Sequence, residues 1–526
     1  MEQNIVCDVI AQAWMREVIT SLSGLIAIPA LSPAFDAGWA ATGYLRAAVD
    51  HVASWVRARD TTAVCEVVEL PGRSPVLLID VPPTAGAAGR GTALLYGHLD
   101  KQPALGEWSA GLGPWQPVLR EGRLYGRGSV DDGYSAYAAL TALEAARAAG
   151  GEHARAVILL ETGEESGSPD LPAYLDHLAG RLGDVDLVIC LDGGGGTDYK
   201  RLWLTSSLRG GVTATVTVRV LETGVHSGIA GGIVPSSFRI MRQLLDRVED
   251  PATGEVLLPE MSVPVPDRRR ADAEAFAALD PDAVGRGIPF VRGMAAAPEV
   301  AELILNNTWR PALSVIGGDG LPESRLAPAV LLPATSLRLS FRTPPGVDAA
   351  VARDALERAL TIDVPYGAQV EISDWMLLNG WSAPEPSTWL ATALDELTGP
   401  VFSESYRQLG VGGGIPFMEM LGRRYAGADF VITGALGTDS NMHVTDEWLN
   451  IEYAERVTAA VAVILNAHAA RLSIFPSIII RQIDKLWRNK WSTVGSRSIS
   501  LSITSRASAV VTPTRTTIWG PGCSSS

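Results

Sequence analysis

The chain has 526 residues, a length that predicts two or three domains. Hydrophobic residues make up 47% and charged residues 19%, and no apolar run reaches the roughly 18 to 20 residues of a membrane span, so no membrane partner is expected. The formal net charge of −15 repels phosphate groups, and a nucleic-acid partner is therefore not expected either.

The N-terminal sequence MEQNIVCDVIAQAW lacks the basic start and the small-residue cleavage site of a secretory signal, so a cytoplasmic location is expected. Four cysteines are scattered along the chain without CxxC spacing. This pattern argues against a disulfide framework and against a thiolate metal site, and it favours buried free thiols.

The first part of the chain combines helical periodicity with short apolar runs. Apolar residues recur at helical spacing over Ala11–Ile26 and Ala37–Ala58. Four apolar runs, each followed by polar or Gly-rich sequence, predict buried and mostly parallel strands. They are Ala93–Gly97, Ala156–Glu161, Asp186–Leu191 and Phe430–Gly434.

From Gly211 to about Ser382 the pattern changes. TATVTVRV, LRLSF and QVEIS alternate with period two, and helical spacing covers Ser236–Val248 and Ala349–Leu360. This stretch predicts an inserted α+β domain with one solvated sheet face. The expected fold class is therefore α/β, with a mostly parallel sheet flanked by helices. Its domains are 1–209 with 383–472, the inserted 210–382, and a tail over 473–526.

The tail gathers seven Lys and Arg residues against the single acid Asp484 and becomes rich in Ser and Thr. Such a composition predicts a disordered or poorly packed segment. A partner-binding or anion-binding arm is one alternative, and sequence unrelated to the fold through a reading-frame accident is another.

Seven histidines are present, and three of them stand out by position. His51, His177 and His468 fall in amphipathic helical stretches and His153 in a charged turn, where a solvated or core-edge role is expected. The remaining histidines are His98, His226 and His443.

Several acids accompany two of these histidines at predicted strand ends. His98 follows the first strand in GHLD, where Asp100 can orient its ring. His443 follows the last strand. The acids that follow the other strands or precede a helix are Glu164 and Glu165, Asp192, and Asp131 with Asp132.

Each of these acids alone would be read as a helix cap or a solvated loop. Together they repel one another unless cations lie among them. Two imidazoles and several carboxylates suit Zn²⁺, Mn²⁺ or a similar ion, and one bridging carboxylate can hold two ions. The residues therefore predict a metal site.

These segments also resemble the M20 metallopeptidases, especially the carnosinase-like dipeptidases. The resemblance covers most of residues 15–470 and rests on GHLDKQP, LYGRGSVDD, ETGEESGS, the strand ending at Asp192, GVHSG, GGGIP and the stretch around His443, in that order. It implies a zinc-exopeptidase-like catalytic domain with an inserted lid and dimerisation domain.

The resemblance also implies a role for each matching residue. Asp131 matches the bridging carboxylate; His98 and Asp192 match the other ligands of one ion, and Glu165 and His443 those of the second. Two divalent ions per subunit follow, with Zn²⁺ favoured and Mn²⁺ or Co²⁺ as alternatives. Glu164 matches the general base that activates a metal-bridged water, and the peptide bond from Asp131 to Asp132 is expected to be cis.

In the inserted segment, His226 matches a residue that reaches into the partner subunit's active site, which implies a homodimer. Arg342, in SFRTPPG, matches a substrate-binding Arg of the lid; a solvated strand Arg is the alternative. Gly412, Gly413 and Gly414 match a turn that holds the substrate's terminal carboxylate.

The glycine turn departs from the family's pattern at three positions. The carnosinase-like sequences have Arg and Glu before the glycines and Ser as the third small residue, where this chain has Gly410, Val411 and Gly414. The complete set of metal ligands with the base Glu164 makes a metallopeptidase that cleaves dipeptides or the C-terminal residue of short peptides the first hypothesis. The altered start of the glycine turn makes an N-acyl amino acid hydrolase the second, and a non-catalytic binding protein of the same fold is the third.

Overall fold

The computed structural model describes residues 1–471 apart from 197, 283, 285–287, 289, 295–298 and 438. Met1–Arg471 forms one compact unit. The tail predicted over residues 473–526 lies outside the described residues, as does Cys523. No helix in the described part of the chain is long and apolar enough to span a bilayer.

A six-stranded sheet lies at the centre of this unit. In spatial order its strands are Val64–Val68, Val76–Val81, Arg155–Glu161, Thr92–His98, Val185–Cys190 and Asp429–Ile432. The last four are parallel, and the first two add an antiparallel edge. Each of the four predicted runs forms one of the parallel strands, which confirms the predicted sheet.

Helices cover both faces of this sheet because the strands are apolar on both sides. Neighbouring residues of one strand, such as Leu94 and Leu95, belong to separate apolar cores. One core contains Gln3–Ala13, Ile19–Ile26, Tyr44–Arg59, Tyr134–Ala148, Thr388–Asp395 and Ile451–Ala470. The other contains Leu171–His177, Ala179–Leu182 and Pro416–Arg424.

The helices near the N-terminus differ in extent from the predicted ones. Helical structure begins at Gln3 and runs through a π turn, Trp14–Val18, to Ile26. It therefore begins before Ala11, the predicted start. The second predicted helix is divided into Trp39–Thr42 and Tyr44–Arg59. Gly43 separates them because it adopts a left-handed conformation with φ +70°, which ends the first helix.

Residues 210–382 contain a second sheet of four antiparallel strands. In spatial order these are Ala312–Asp319, Ala334–Thr343, Gly210–Arg219 and Gln369–Leu378. Ser237–Leu245 and Ala349–Thr361 pack against the buried side chains of this sheet. The predicted strands and helices of this region are present, while the domain boundaries remain predictions.

Three elements of this region were not predicted: the edge strand Ala312–Asp319 and the helices Asp267–Leu279 and Val300–Thr308. The two helices enclose a small separate core with Trp203 and Trp309. Asp267–Leu279 carries charged residues on most faces, so its sequence shows little apolar periodicity.

Short sheets connect these parts. The strand Trp203–Leu208 pairs in parallel with Arg407–Val411 and antiparallel with Trp381–Ser382, and this pairing positions the glycine turn that follows Val411. The remaining short strands are Val118–Arg120, Arg123–Tyr125, Trp448–Asn450, Gly194–Gly196, Leu436–Gly437, Val225–His226 and Val330–Leu331. The remaining short helical turns are Ala85–Ala87, Ser129–Gly133, Glu164–Ser166, Ser227–Ala230, Pro259–Met261, Ser324–Leu326 and Pro365–Gly367.

Candidate metal centre

The predicted metal-binding side chains meet at one edge of the central sheet. His98 is the last residue of its strand, and Glu164 and Asp192 follow the ends of the two neighbouring strands. Because these strands are parallel, their carboxyl ends lie together, which is where open α/β sheets bind ligands.

Asp131 lies between the two histidines. Its Oδ1 is 3.1 Å from Nε2 of His98, and its Oδ2 is 2.7 Å from Nε2 of His443. His98 Nε2 is also 3.8 Å from Asp192 Oδ2, and His443 Nε2 is 3.4 Å from Glu165 Oε2. The structure thus brings all five predicted ligands into one cluster.

Within this cluster, two groups of three residues place one ligand atom each within 4.8 Å of the others. They are His98 with Asp131 and Glu165, and His98 with Glu164 and Asp192. These groupings divide the residues differently from the two ligand pairs that the resemblance implies, although the same side chains are involved.

The backbone around Asp131 is held closely to the strand that carries His98. The peptide bond between Asp131 and Asp132 is cis, as expected from the resemblance. Asp132 Oδ2 accepts a hydrogen bond from the N–H of His98 at 3.2 Å. A Cβ atom at Gly97 would lie 2.7 Å from that oxygen and 2.2 Å from Ser135 Oγ, so glycine is required for this close approach.

Asp100 orients two parts of the cluster. Nδ1 of His98 is 3.1 Å from the backbone oxygen of Asp100 and 3.4 Å from its Oδ1. The two carboxylate oxygens of Asp100 accept hydrogen bonds from the N–H groups of Glu164, at 3.2 Å, and Glu165, at 3.0 Å. One carboxylate therefore positions both an imidazole and the loop that carries the two glutamates.

The electrostatics of the cluster reflect acids crowded together away from water. Burial raises the pKa of Glu164 well above its ordinary value, and the charge of Asp192 raises it further. Burial and the charge of Asp131 raise the pKa of Asp192 to about 7. Burial alone would lower the pKa of His443, but its contacts with Asp131 and Glu165 raise it to about 10. Such a group of acids is relieved by positive charge placed among them.

A buried ion pair, which the sequence analysis missed, joins the two chain segments that supply Asp131 and His443. Arg127 Nη1 is 2.6 Å from Glu447 Oε2, and both side chains are at most 1% exposed. Oε1 of Glu447 accepts the N–H of Gly128 at 2.9 Å and that of Val130 at 3.3 Å. Arg127 lies four positions before Asp131, and Glu447 lies four positions after His443. This proximity is the only indication of the ion pair in the sequence.

A cavity of about 450 Å³ opens beside the cluster. Its walls include Asp131, Glu164, Glu165, Asp192 and His443 on the cluster side. The rest of the lining is glycine, Thr205 and apolar side chains, and it includes Gly413 and Gly414 of the predicted turn. Its volume is within the range of about 300 to 1,000 Å³ that pockets for small ligands have.

Arg209, which the sequence analysis also missed, binds the backbone of the glycine turn. Its Nε donates to the backbone oxygen of Gly412 and its backbone N–H to that of Gly413, both at 3.0 Å. Its Nη1 lies 3.4 Å from the backbone oxygens of Asn306 and Arg310. Burial, and then the charge of Arg342, lower the pKa of Arg209 to about 10.

His226 and Arg342 are not among the residues that line this cavity. His226 is exposed, and its Nδ1 accepts a hydrogen bond from the N–H of Gly228 at 3.1 Å. Arg342 is exposed near the end of the strand Ala334–Thr343. Their predicted contacts with a substrate remain predictions.

An α/β fold that carries a cluster of imidazoles and carboxylates beside a cavity is an arrangement suited to metal-dependent hydrolysis. The sequence model of Peptidase family M20/M25/M40 matches residues 94–467, which are well over half of the chain. The chain belongs to this family, whose members are hydrolases that act on peptide bonds.

Individual relatives agree with this membership. The chain is 26% identical to the cysteinylglycine-S-conjugate dipeptidase of Corynebacterium striatum over 431 residues, which are 78% of this chain and 89% of that protein. It is 26% identical to the human Beta-Ala-His dipeptidase over 285 residues, 52% of this chain and 54% of that one.

Solved structures show the same fold. The structure of human carnosine dipeptidase 1 superposes with a TM-score of 0.69 at 21% identity, covering 90% of this chain and 99% of that one. An M20 metallo-carboxypeptidase from Sulfolobus solfataricus superposes with a TM-score of 0.72 at 18% identity, covering 86% of this chain and all of the other.

Proposed function

We propose that this protein hydrolyses dipeptides, or removes the C-terminal residue of short peptides, with two divalent metal ions at the cluster. The observation that carries the proposal is the position of Asp131, whose two oxygens face two different imidazoles, those of His98 and His443. Such a carboxylate is suited to bridge two ions. His98 and Asp192 would complete one ion's ligands, and Glu165 and His443 those of the other.

The donor set fits the proposed ions. Imidazole nitrogens combined with carboxylate oxygens are typical of Zn²⁺, and they also suit Mn²⁺ and Co²⁺. We favour Zn²⁺ among the three. When bound, such ions polarise a carbonyl group and make water a stronger nucleophile.

In this proposal Glu164 is the general base. It lines the cavity beside the proposed ligands, and Asp100 holds its backbone N–H. Its carboxylate would accept a proton from the attacking water and then transfer it to the nitrogen of the leaving amine. The two products are then an amino acid with a free amine and a carboxylic acid.

The glycine turn is proposed to hold the carboxylate of the leaving amino acid. In a trans peptide the C=O and the N–H point in opposite directions. Because the oxygens of Gly412 and Gly413 are bound by Arg209, the N–H groups of Gly413 and Gly414 point away from Arg209. Two such donors at a turn suit a carboxylate, and Arg342 is proposed to bind the same group.

A homodimer is the proposed assembly, with His226 acting in the partner's site. His226 is exposed and lies outside the cavity lining of its own chain. The strand Ala312–Asp319 lies at the edge of its sheet, and its Val315 and Ile316 are 50% and 61% exposed. An exposed apolar edge strand is a surface that pairs readily with another chain.

The first experiment measures hydrolysis by metal-stripped protein after reconstitution with one ion at a time. The substrates are a mixed library of dipeptides and N-acylated amino acids. We expect activity with Zn²⁺, Mn²⁺ or Co²⁺ and none without metal. Glu164→Gln should lower kcat by about 10²- to 10⁴-fold, whereas the exposed Glu222→Gln should not. Turnover that survives in Glu164→Gln would refute the mechanism.

A mixing experiment tests whether His226 acts between subunits. His226→Ala and Glu164→Gln should each have little activity alone, whereas a mixed dimer would contain one complete site. Random exchange of equal amounts should restore about a quarter of the wild-type activity if the dimer is isologous. If mixing restores nothing while two differently tagged variants co-purify as mixed dimers, His226 does not act in the partner's site.

Hydrolysis of N-acyl amino acids is the alternative, because Val411 lines the cavity where the carnosinase-like pattern has Glu. The dipeptidases named among the relatives support the first proposal. The library separates the two by the preferred acyl group, which carries a free amino group in a dipeptide and none in an N-acyl amino acid. The cytoplasmic location expected from the sequence remains a prediction.

A further inference from the structure

The wall of the cavity next to the glycine turn is apolar. Val411 immediately precedes the three glycines and Ile415 immediately follows them, and both line the cavity. In the parallel pairing of their strands, Val411 lies opposite Leu208, which also lines the cavity. These three side chains therefore lie beside the turn proposed to hold the substrate's free carboxylate, and we refer to them as the turn-side wall.

We propose that the substrate residue bearing the free carboxylate has an apolar side chain, of the kind found in Leu, Met or Phe, and that the turn-side wall selects it. The inference rests on the proposed role of the glycine turn. It applies equally to a dipeptide and to an N-acyl amino acid, because in both the carboxylate belongs to the residue on the amine side of the cleaved bond.

The charges around the cavity support this choice. Among the described lining residues, every acid belongs to the metal cluster, and His443 is the only side chain that can carry a positive charge. A charged side chain placed against the turn-side wall would lose its water without gaining a partner, which is unfavourable. An apolar side chain gains free energy by leaving water, and the gain grows with the number of CH₂ groups that are buried.

The proposed preference differs from the substrates that the relatives' names print. Cysteinylglycine ends in glycine, and Beta-Ala-His ends in histidine. Neither of these residues presents a large apolar side chain. A preference for Leu over both Gly and His would therefore distinguish this chain from those relatives.

The test compares kcat/KM for Ala-Gly, Ala-Ala, Ala-Leu, Ala-His and Ala-Asp with the metal-loaded full chain, together with the matching N-acetyl amino acids. We expect Ala-Leu to exceed Ala-Ala by about 10-fold or more, in line with the discrimination of apolar pockets. Ala-His and Ala-Asp should be poorer still. Equal rates across the series would overturn the inference and leave the proposed hydrolase intact, whereas no cleavage of any compound would overturn both.

A pair of matched variants tests the wall itself. Val411→Ala should lower kcat/KM for Ala-Leu by several-fold more than for Ala-Gly. Val67→Ala is the control, because Val67 is another half-buried strand valine that does not line the cavity. If Val411→Ala reduces cleavage of Ala-Leu and Ala-Gly by the same factor, the wall does not select the side chain.

Discussion

Removal of the Glu447 carboxylate is expected to destabilise the protein strongly and to loosen the metal cluster. Glu447 and Arg127 are both almost fully buried, and Glu447 also accepts two backbone hydrogen bonds, from Gly128 and Val130. Glu447→Ala leaves the guanidinium and both N–H groups without these acceptors. Breaking a buried ion pair from one side costs about 3–5 kcal/mol, and the two lost backbone bonds keep the expected value near the upper end.

The assay is urea unfolding followed by tryptophan fluorescence. The midpoint of unfolding reports stability only if the free energy of unfolding falls with urea concentration at the same slope in both proteins. The slopes of wild type and variant are therefore compared first. Glu452→Ala is the matched control: Glu452 pairs with Arg456 on an exposed helix surface, where the loss should be about 0.3–0.5 kcal/mol. A loss below about 1 kcal/mol for Glu447→Ala would refute the reasoning.

A second measurement, of metal affinity, separates the effect of the ion pair on the metal cluster from its effect on overall stability. Since the ion pair connects the segments that carry Asp131 and His443, its loss should lower metal affinity by about 10- to 100-fold, the usual effect of residues that orient ligands. The double variant Arg127→Met with Glu447→Leu should regain part of the lost stability, because an apolar pair can replace a buried ion pair, whereas the N–H groups of Gly128 and Val130 stay without this acceptor. If it also regains full metal affinity, the ion pair has no specific role in positioning the ligands.

Two further predictions concern other parts of the molecule. Arg209→Gln should raise KM for dipeptides by about 10-fold with a smaller change in kcat, because the turn at Gly412 loses its donor. A dipeptide amide, which lacks the carboxylate, should respond little, and equal losses on both substrates would contradict the role. Burial raises the pKa of Asp60, but hydrogen bonds from Thr62 and Arg147 lower it by more, to about 2. The folded-state pKa lies below the ordinary value of 3.8, so Asp60 stabilises the fold above pH 3.8, and this contribution is lost as the pH falls towards 2. Urea unfolding should show wild type about 1–2 kcal/mol more stable than Asp60→Asn at about pH 5 and a much smaller difference near pH 2; a constant difference would contradict the assignment.

The parallel sheet could be predicted because each of its parallel strands contains a continuous apolar run. Residues 92–98 are buried throughout, so their sequence shows a continuous apolar run between polar boundaries. The metal cluster followed from the same fact, since side chains after parallel strands meet at one edge. The edge strand Ala312–Asp319 escaped prediction because most of its residues are exposed, and it shows neither an apolar run nor alternation.

The side chains that support the cluster are harder to predict, because their partners are distant in sequence. Arg127 and Glu447 are 320 positions apart, and Arg209 contacts the glycine turn across 203 positions. A ligand such as His98 is marked by its place at the end of a strand, but a buried Arg is marked only by the acceptors around it. Those acceptors are backbone oxygens in the case of Arg209, and any residue type supplies them.

This difference also explains why catalysis and substrate preference are predictable to different degrees. Ligands and a general base must be particular residue types at strand ends, so Glu164 and Asp131 can be read from local sequence. The turn-side wall depends on which strand lies next to the turn, and the pairing of Leu208 with Val411 joins residues far apart in the chain. The departure at Val411 is visible in the sequence, but only the strand pairing shows that it adds to an apolar surface beside the proposed carboxylate site.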